Sequence, residues 1–226
     1  MTAYYIAPKL PSIDRLRQRC KALAVLERII GDEEPCYTYT SAWGTAEAAQ
    51  WRNGAGEEWA VVFTADGAFI WVFDHESELN PYRNPDRTLW PGLLDGLPRV
   101  LRPQLEEPAF CDESGRFVAT AVLWRLVGDD RWHAGEGIIF PSTRGPYEGP
   151  GADGSEWLDV LLDDVVDQFV GFAANYHGIE VDRAAVEHVV AHRPLTDTVI
   201  QALNPQLTVA DLREDIAAIG YPIAAM

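Results

Sequence analysis

Glu58-Trp59-Ala60-Val61-Val62-Phe63-Thr64, then Asp66-Gly67, then Ala68-Phe69-Ile70-Trp71-Val72-Phe73 is the stretch that decides the fold. Two runs of β-branched and aromatic residues flank a dipeptide whose members tolerate positive φ, which predicts a β-hairpin closed by a two-residue turn. Both runs are apolar nearly throughout, so the hairpin is expected at the centre of a sheet, covered on both faces.

Working outward, Tyr37, Tyr39, Trp43 and Trp51 before the turn signal Asn53-Gly54 extend the pattern into an antiparallel meander. Downstream, Phe117 to Val127, a turn at Gly128-Asp129-Asp130, and Arg131 to Ala134 with Gly137 to Phe140 read as further strands, the last bulged around Gly135. Between them Pro81, Pro85, Pro91, Pro98, Pro103 and Pro108 leave room only for short helical turns near Leu93 and from Val100 to Leu105. Pro141 to Gly154, rich in glycine and proline, is expected as a long irregular loop or lid.

Helices are expected at both ends. Ser12 precedes the periodic residues Ile13, Leu16, Cys20, Leu23, Ile29 and Ile30, and Gly31 closes the run. Asp153 or Ser155 is placed to cap one long helix carrying Trp157, Leu158, Leu161, Val165, Phe169 and Tyr176 up to Gly178. Asp182 to His192, Leu195 to Leu203 and Thr208 to Ile219 read as three shorter helices. The predicted class is therefore α+β: a meander sheet of five or six strands with an N-terminal helix and a C-terminal group of helices packed on it. One domain over 1–226 is expected, with its helix in 1–31, its sheet in 36–140 and its helical region in 155–220.

The 226 residues hold 35 acidic against 18 basic side chains, a net charge of −17, yet 47% are hydrophobic, so the chain folds despite its charge. The charge is uneven: residues 1–31 hold six cations and two anions, a net +4, and the remainder is strongly negative. Such a surface repels nucleic acid and anionic lipid and attracts basic proteins. No apolar run is long enough for a membrane span and the first residues lack a secretory pattern, so a cytoplasmic protein is expected. Arginine greatly outnumbers lysine, which suggests a GC-rich bacterial source. Cys20, Cys36 and Cys111 form no metal or disulfide pattern and are expected as reduced thiols, and no cofactor is expected.

Three constellations are candidates for chemistry or binding. Asp74-His75-Glu76-Ser77-Glu78 leaves a buried strand and places titratable groups where sheet meets loop, with His75 as base or ligand and Asp74 or Glu76 orienting it; the plain alternative is a polar turn. His188 and His192, four apart on a predicted helix, form a weak metal pair, but Val189 stands where a zincin helix needs glutamate. Asp159, Asp163 and Asp167 stack on one face of the predicted long helix and ask for a cationic partner, internal or external. No nucleophile elbow, P-loop or dinucleotide fingerprint occurs. The eight tryptophans fall in or beside predicted elements and are expected mostly in the core.

The leading expectation is a binding module that docks a basic partner, as an inhibitor or immunity protein does. The alternatives are a hydrolase or metal-assisted enzyme built on Asp74, His75 and Glu76, and a structural or oligomerisation subunit.

Overall fold

The decisive hairpin forms, with Glu57–Phe63 (β3) antiparallel to Gly67–Asp74 (β4) from Glu57 opposite Asp74 to Phe63 opposite Ala68. The computed structural model describes residues 1–31, 34–141 and 153–224. The turn is wider than expected: neither Asp66 nor Gly67 has positive φ. Thr64 closes it instead, its N–H donating to the Gly67 carbonyl at 2.8 Å and its Oγ1 accepting from the amides of Asp66 and Gly67 at 3.2 Å. Glycine is required at 67 for another reason. A Cβ there would lie 2.3 Å from the Arg125 carbonyl oxygen on the neighbouring strand.

Six strands form an antiparallel sheet in sequence order: Tyr37–Trp43 (β1), Ala46–Arg52 (β2), β3, β4, Ala121–Leu126 (β5) and His133–Ala134 (β6). The fold is mixed α+β, with a helix near the N-terminus and helices at the C-terminal end, as the residue pattern predicts. By its contacts the chain divides into two compact units, one of Met1–Ile13 with Arg52–Asp159 and one of Asp14–Trp51 with Val160–Met226.

In the first unit β3 and β4 are buried almost throughout, and Trp59, Phe69, Ile70 and Phe110 are fully buried core. Buried indoles still need a partner for their N–H. Trp59 donates to the Trp157 carbonyl, Trp71 to that of Val118 and Trp132 to that of Pro11. The proline-rich segment supplies 3-10 turns at Pro81–Arg83, Arg99–Glu106 and Pro108–Phe110 and buries Leu93, Leu97, Leu101 and Phe110. The last strand is shorter than its sequence suggests, because the backbone of Gly92 and Leu93 lies so close to Gly135 that a Cβ there would be 2.3 Å from the Gly92 oxygen. Tyr4, on the short unpredicted helix Ala3–Ile6 (α1), fixes this corner: its hydroxyl donates to the Gly135 carbonyl at 2.7 Å and accepts from Ile138 N at 3.0 Å.

The second unit is built round Ile13–Ile30 (α2), whose Leu16, Leu23, Leu26 and Ile29 are fully buried. The predicted long helix is broken. Ser155–Leu161 is 3-10, a turn follows, Val165–Phe172 (α3) is α-helical, and Ala173–His177 is a π turn ended by Gly178 at φ 68°. Arg19 of α2 accounts for the break, since its Nη1 donates to the Leu161 carbonyl at 2.6 Å, the oxygen that would accept from Val165 in an unbroken helix. Arg183–Val190 (α4), Asp197–Leu203 (α5) and Arg213–Ile219 (α6) follow, the first two capped by Asp182 and Thr196. Ser41 on β1 donates to the Ala218 carbonyl and ties α6 to the strand. Among the described residues no helix is long and apolar enough to cross a membrane.

Candidate functional site

Where β3 begins and β4 ends, the register sets Glu57 opposite Asp74, and both carboxyl groups are buried. The chain then passes His75 over Gly56, whose carbonyl accepts the His75 amide at 3.3 Å. Gly56 sits at φ 112°, and a Cβ on it would be 2.7 Å from His75 Nδ1, so the imidazole occupies space that only glycine leaves open. The ring is held at both nitrogens: Nδ1 lies 3.0 Å from Glu57 Oε1 and Nε2 2.9 Å from Glu76 Oε1. Glu76 is in turn held by Arg83 at 3.2 Å, and Glu57 by the amide of Asn53 at 2.5 Å.

Asp74 faces inward. Its Oδ1 accepts the Glu76 amide at 2.8 Å, and its own amide donates to Thr120 Oγ1, which donates onward to the Asp153 carbonyl at 2.7 Å. Glycine recurs beside it, for a Cβ on Gly154 would come within 2.7 Å of the Asp74 Cβ. Burial pushes the carboxyl of Asp74 above its ordinary range, and the nearby Glu57 adds to this, while the Glu76 amide opposes it. Burial likewise raises Asp153, which accepts from the Ala3 and Ser155 amides, and Glu156, which also feels the charges of Asp153 and Asp74. Glu57, Asp74 and His75 each bring a ligand atom within 4.8 Å of the others, a set able to hold a metal ion or to relay a proton.

On the other face of β4, Phe110 stacks on Trp71 at 4.9 Å, Trp71 on Phe73, and Phe73 meets Tyr82 edge-on at 6.0 Å. Tyr82 opens into a cleft of about 540 Å³ that it lines with Arg87, Asp112, Glu113 and Ser114, and the Arg87 guanidinium lies 5.1 Å from the tyrosine ring centre. Asp112 is held down at about 2 by the Ser114 hydroxyl and the Arg116 amide.

The other candidates scatter. Asp159 lies in the 3-10 segment, Asp163 in the turn and Asp167 on α3, so no single helix face stacks them. Asp163 pairs with Arg19 at 2.7 Å and Asp167 with Arg183 at 2.6 Å. His188 and His192 do not share a helix face either, because α4 ends at Val190 and His192 takes φ 56°. His188 Nε2 meets the Pro194 carbonyl, and the His192 ring packs on Tyr221 at 4.5 Å. His133 pairs with Asp129 and lies over Trp124. Nearly all of the Pro141 to Gly154 loop lies outside the described residues. The cysteines are free thiols, Cys20 and Cys36 buried.

One polar pair escaped the sequence. Glu27, wholly buried in α2, bonds His177 Nε2 at 3.0 Å and accepts the Cys36 amide at 2.7 Å, in a surround that includes Phe172 and Tyr176. Burial raises the Glu27 carboxyl, and the bond to His177 opposes that shift. The basic side of α2 is largely engaged within its own unit: Arg17 and Lys21 on Glu47, Arg19 on Asp163, Arg28 on Asp215.

Compared with known protein families, with curated proteins and with solved structures, the chain matches none.

Proposed function

We propose that this protein is a binding module for a basic protein partner, working as inhibitors and immunity proteins work, by covering a cationic surface with an acidic one. The observation that carries this reading is the pairing of α2. Arg17, Arg19, Lys21 and Arg28 belong to the one basic segment of a chain of charge −17, and each is engaged by a carboxylate of its own unit. The net charge of the chain is negative, and a field of that sign steers a cationic protein into encounter. The Tyr82 cleft suits such a partner's arginine or lysine: it offers a half-exposed ring flanked by Asp112 and Glu113, and its own Arg87 already lies by that ring.

The test is capture on the immobilised protein from lysate of its source cell, followed by elution in rising salt. Going from about 0.1 M to about 1 M shortens the screening length from about 10 Å to about 3 Å. A basic partner released in that range, and weakened by Glu113→Lys, supports the reading. Retention indifferent to salt, or an acidic partner, overturns it.

A second reading, a metal-assisted or acid–base enzyme, is favoured by the approach of Glu57, Asp74 and His75. His75→Ala separates the two, because it abolishes activity in an enzyme and leaves salt-sensitive partner capture nearly unchanged in a binder.

A further inference from the structure

We infer that Glu57, Asp74 and His75 form a binding site for one first-row divalent cation, of the Zn²⁺ or Mn²⁺ kind. Two carboxylates and an imidazole, without thiolate, are ligands that suit these ions. Calcium, which takes six to eight oxygens, is poorly served by this set.

Charge is the first argument. Glu57 is 8% exposed and Asp74 6%, and they stand directly opposite in the hairpin. Glu156 lies close enough to feel the charge of Asp74 and also that of Asp153, which is 1% exposed. Among the described residues no lysine or arginine forms an ion pair with any of the four; the His75 imidazole meets Glu57, and the Met1 amine acts on Glu156. Buried carboxylates so gathered are stabilised by a divalent cation held between them.

Orientation is the second. Nδ1 of His75 points at Glu57, while Nε2 is held by Glu76, which is held by Arg83. A metal-ligating histidine characteristically donates its outer N–H to a carboxylate in this way, which fixes the tautomer and aims the free nitrogen. Gly56 and Gly154 leave His75 and Asp74 the room to take these positions.

The third is an orphan. Glu156 Oε2 is buried and lacks a hydrogen-bond partner among the described residues, on a side chain that feels the Asp74 charge. Buried oxygens of this kind call for a ligand or an ordered water.

The experiment is calorimetric titration of the chelator-treated full chain with Zn²⁺ and with Mn²⁺. One equivalent is expected to bind, about tenfold or more weaker in Glu76→Gln and lost in Glu57→Gln and in His75→Gln, with His188→Gln unchanged. As a check that needs no variant, Mn²⁺ added to the wild-type protein should broaden the NMR signals of the His75 ring before those of His133, His177, His188 and His192. Absence of binding, binding untouched by Glu57→Gln and His75→Gln, or broadening that begins at another histidine overturns the site.

Discussion

Glu57 Oε1 and His75 Nδ1 lie 3.0 Å apart although eighteen positions separate them, because the hairpin register sets the start of β3 against the end of β4 and Gly56 yields its side-chain space to the imidazole. Gly56→Ala tests that relationship. It adds strain at φ 112° and a Cβ 2.7 Å from Nδ1, so the ring must move. A loss of about 1–3 kcal/mol is expected in denaturant unfolding, together with displaced His75 ring signals in NMR. Unmoved signals would show that the glycine does not position the histidine.

The turn makes a contrasting pair. Gly67→Ala drives a Cβ into the Arg125 carbonyl and is expected to be among the most damaging single changes in the sheet. Asp66→Ala leaves the Thr64 bonds in place and should stay within about 0.5 kcal/mol of wild type. Equal losses in thermal melts would restore the narrow turn.

Arg19 and Arg183 both pair with aspartates, but only Arg19 is buried. Arg19→Ala leaves the buried Leu161 carbonyl without this donor, at an expected cost of about 1–3 kcal/mol. Arg183→Ala removes a solvent-exposed, screened pair and should leave stability close to that of wild type. Chemical denaturation of both variants decides between them.

Glu27 gives a pH dependence with a defined sign. Its folded carboxyl is raised above the unfolded value of 4.5, so the native state binds the proton more tightly, and this group's contribution to stability falls as pH rises from 4.5 through the folded value. Glu27→Gln retains an acceptor for the Cys36 amide and cannot ionise. Its stability relative to wild type should therefore improve between pH 4.5 and neutrality, as read from unfolding curves. A gap that widens against the variant over that range would count against the assignment.

Much of the architecture was legible because periodicity reports burial directly. The β3–β4 runs, the α2 stripe and the Gly31, Gly178 and Gly220 endings each record a local preference that tertiary packing reinforces. Glu57 was hidden by turn geometry. A two-residue turn at Asp66-Gly67 would set Asp74 opposite Trp59, and the wider turn closed by Thr64 shifts the pairing onto Glu57. The broken helix and the Glu27–His177 pair were illegible for a different reason: each depends on contacts between residues about 140 or more positions apart, Arg19 with Leu161 and Glu27 with His177, and neither residue carries a local sign of its partner.

The two-residue length of β6 has a consequence for the protein in a crowded solution. A free sheet edge is a template on which another molecule can add a strand, and long, flat apolar edges lead to fibrils. Gly135, pressed against the Gly92 and Leu93 backbone and held by Tyr4, ends the ladder after His133–Ala134. A two-residue edge strand offers an incoming chain little length to pair with, and a bulky residue at 135 is expected to disturb the corner that ends it.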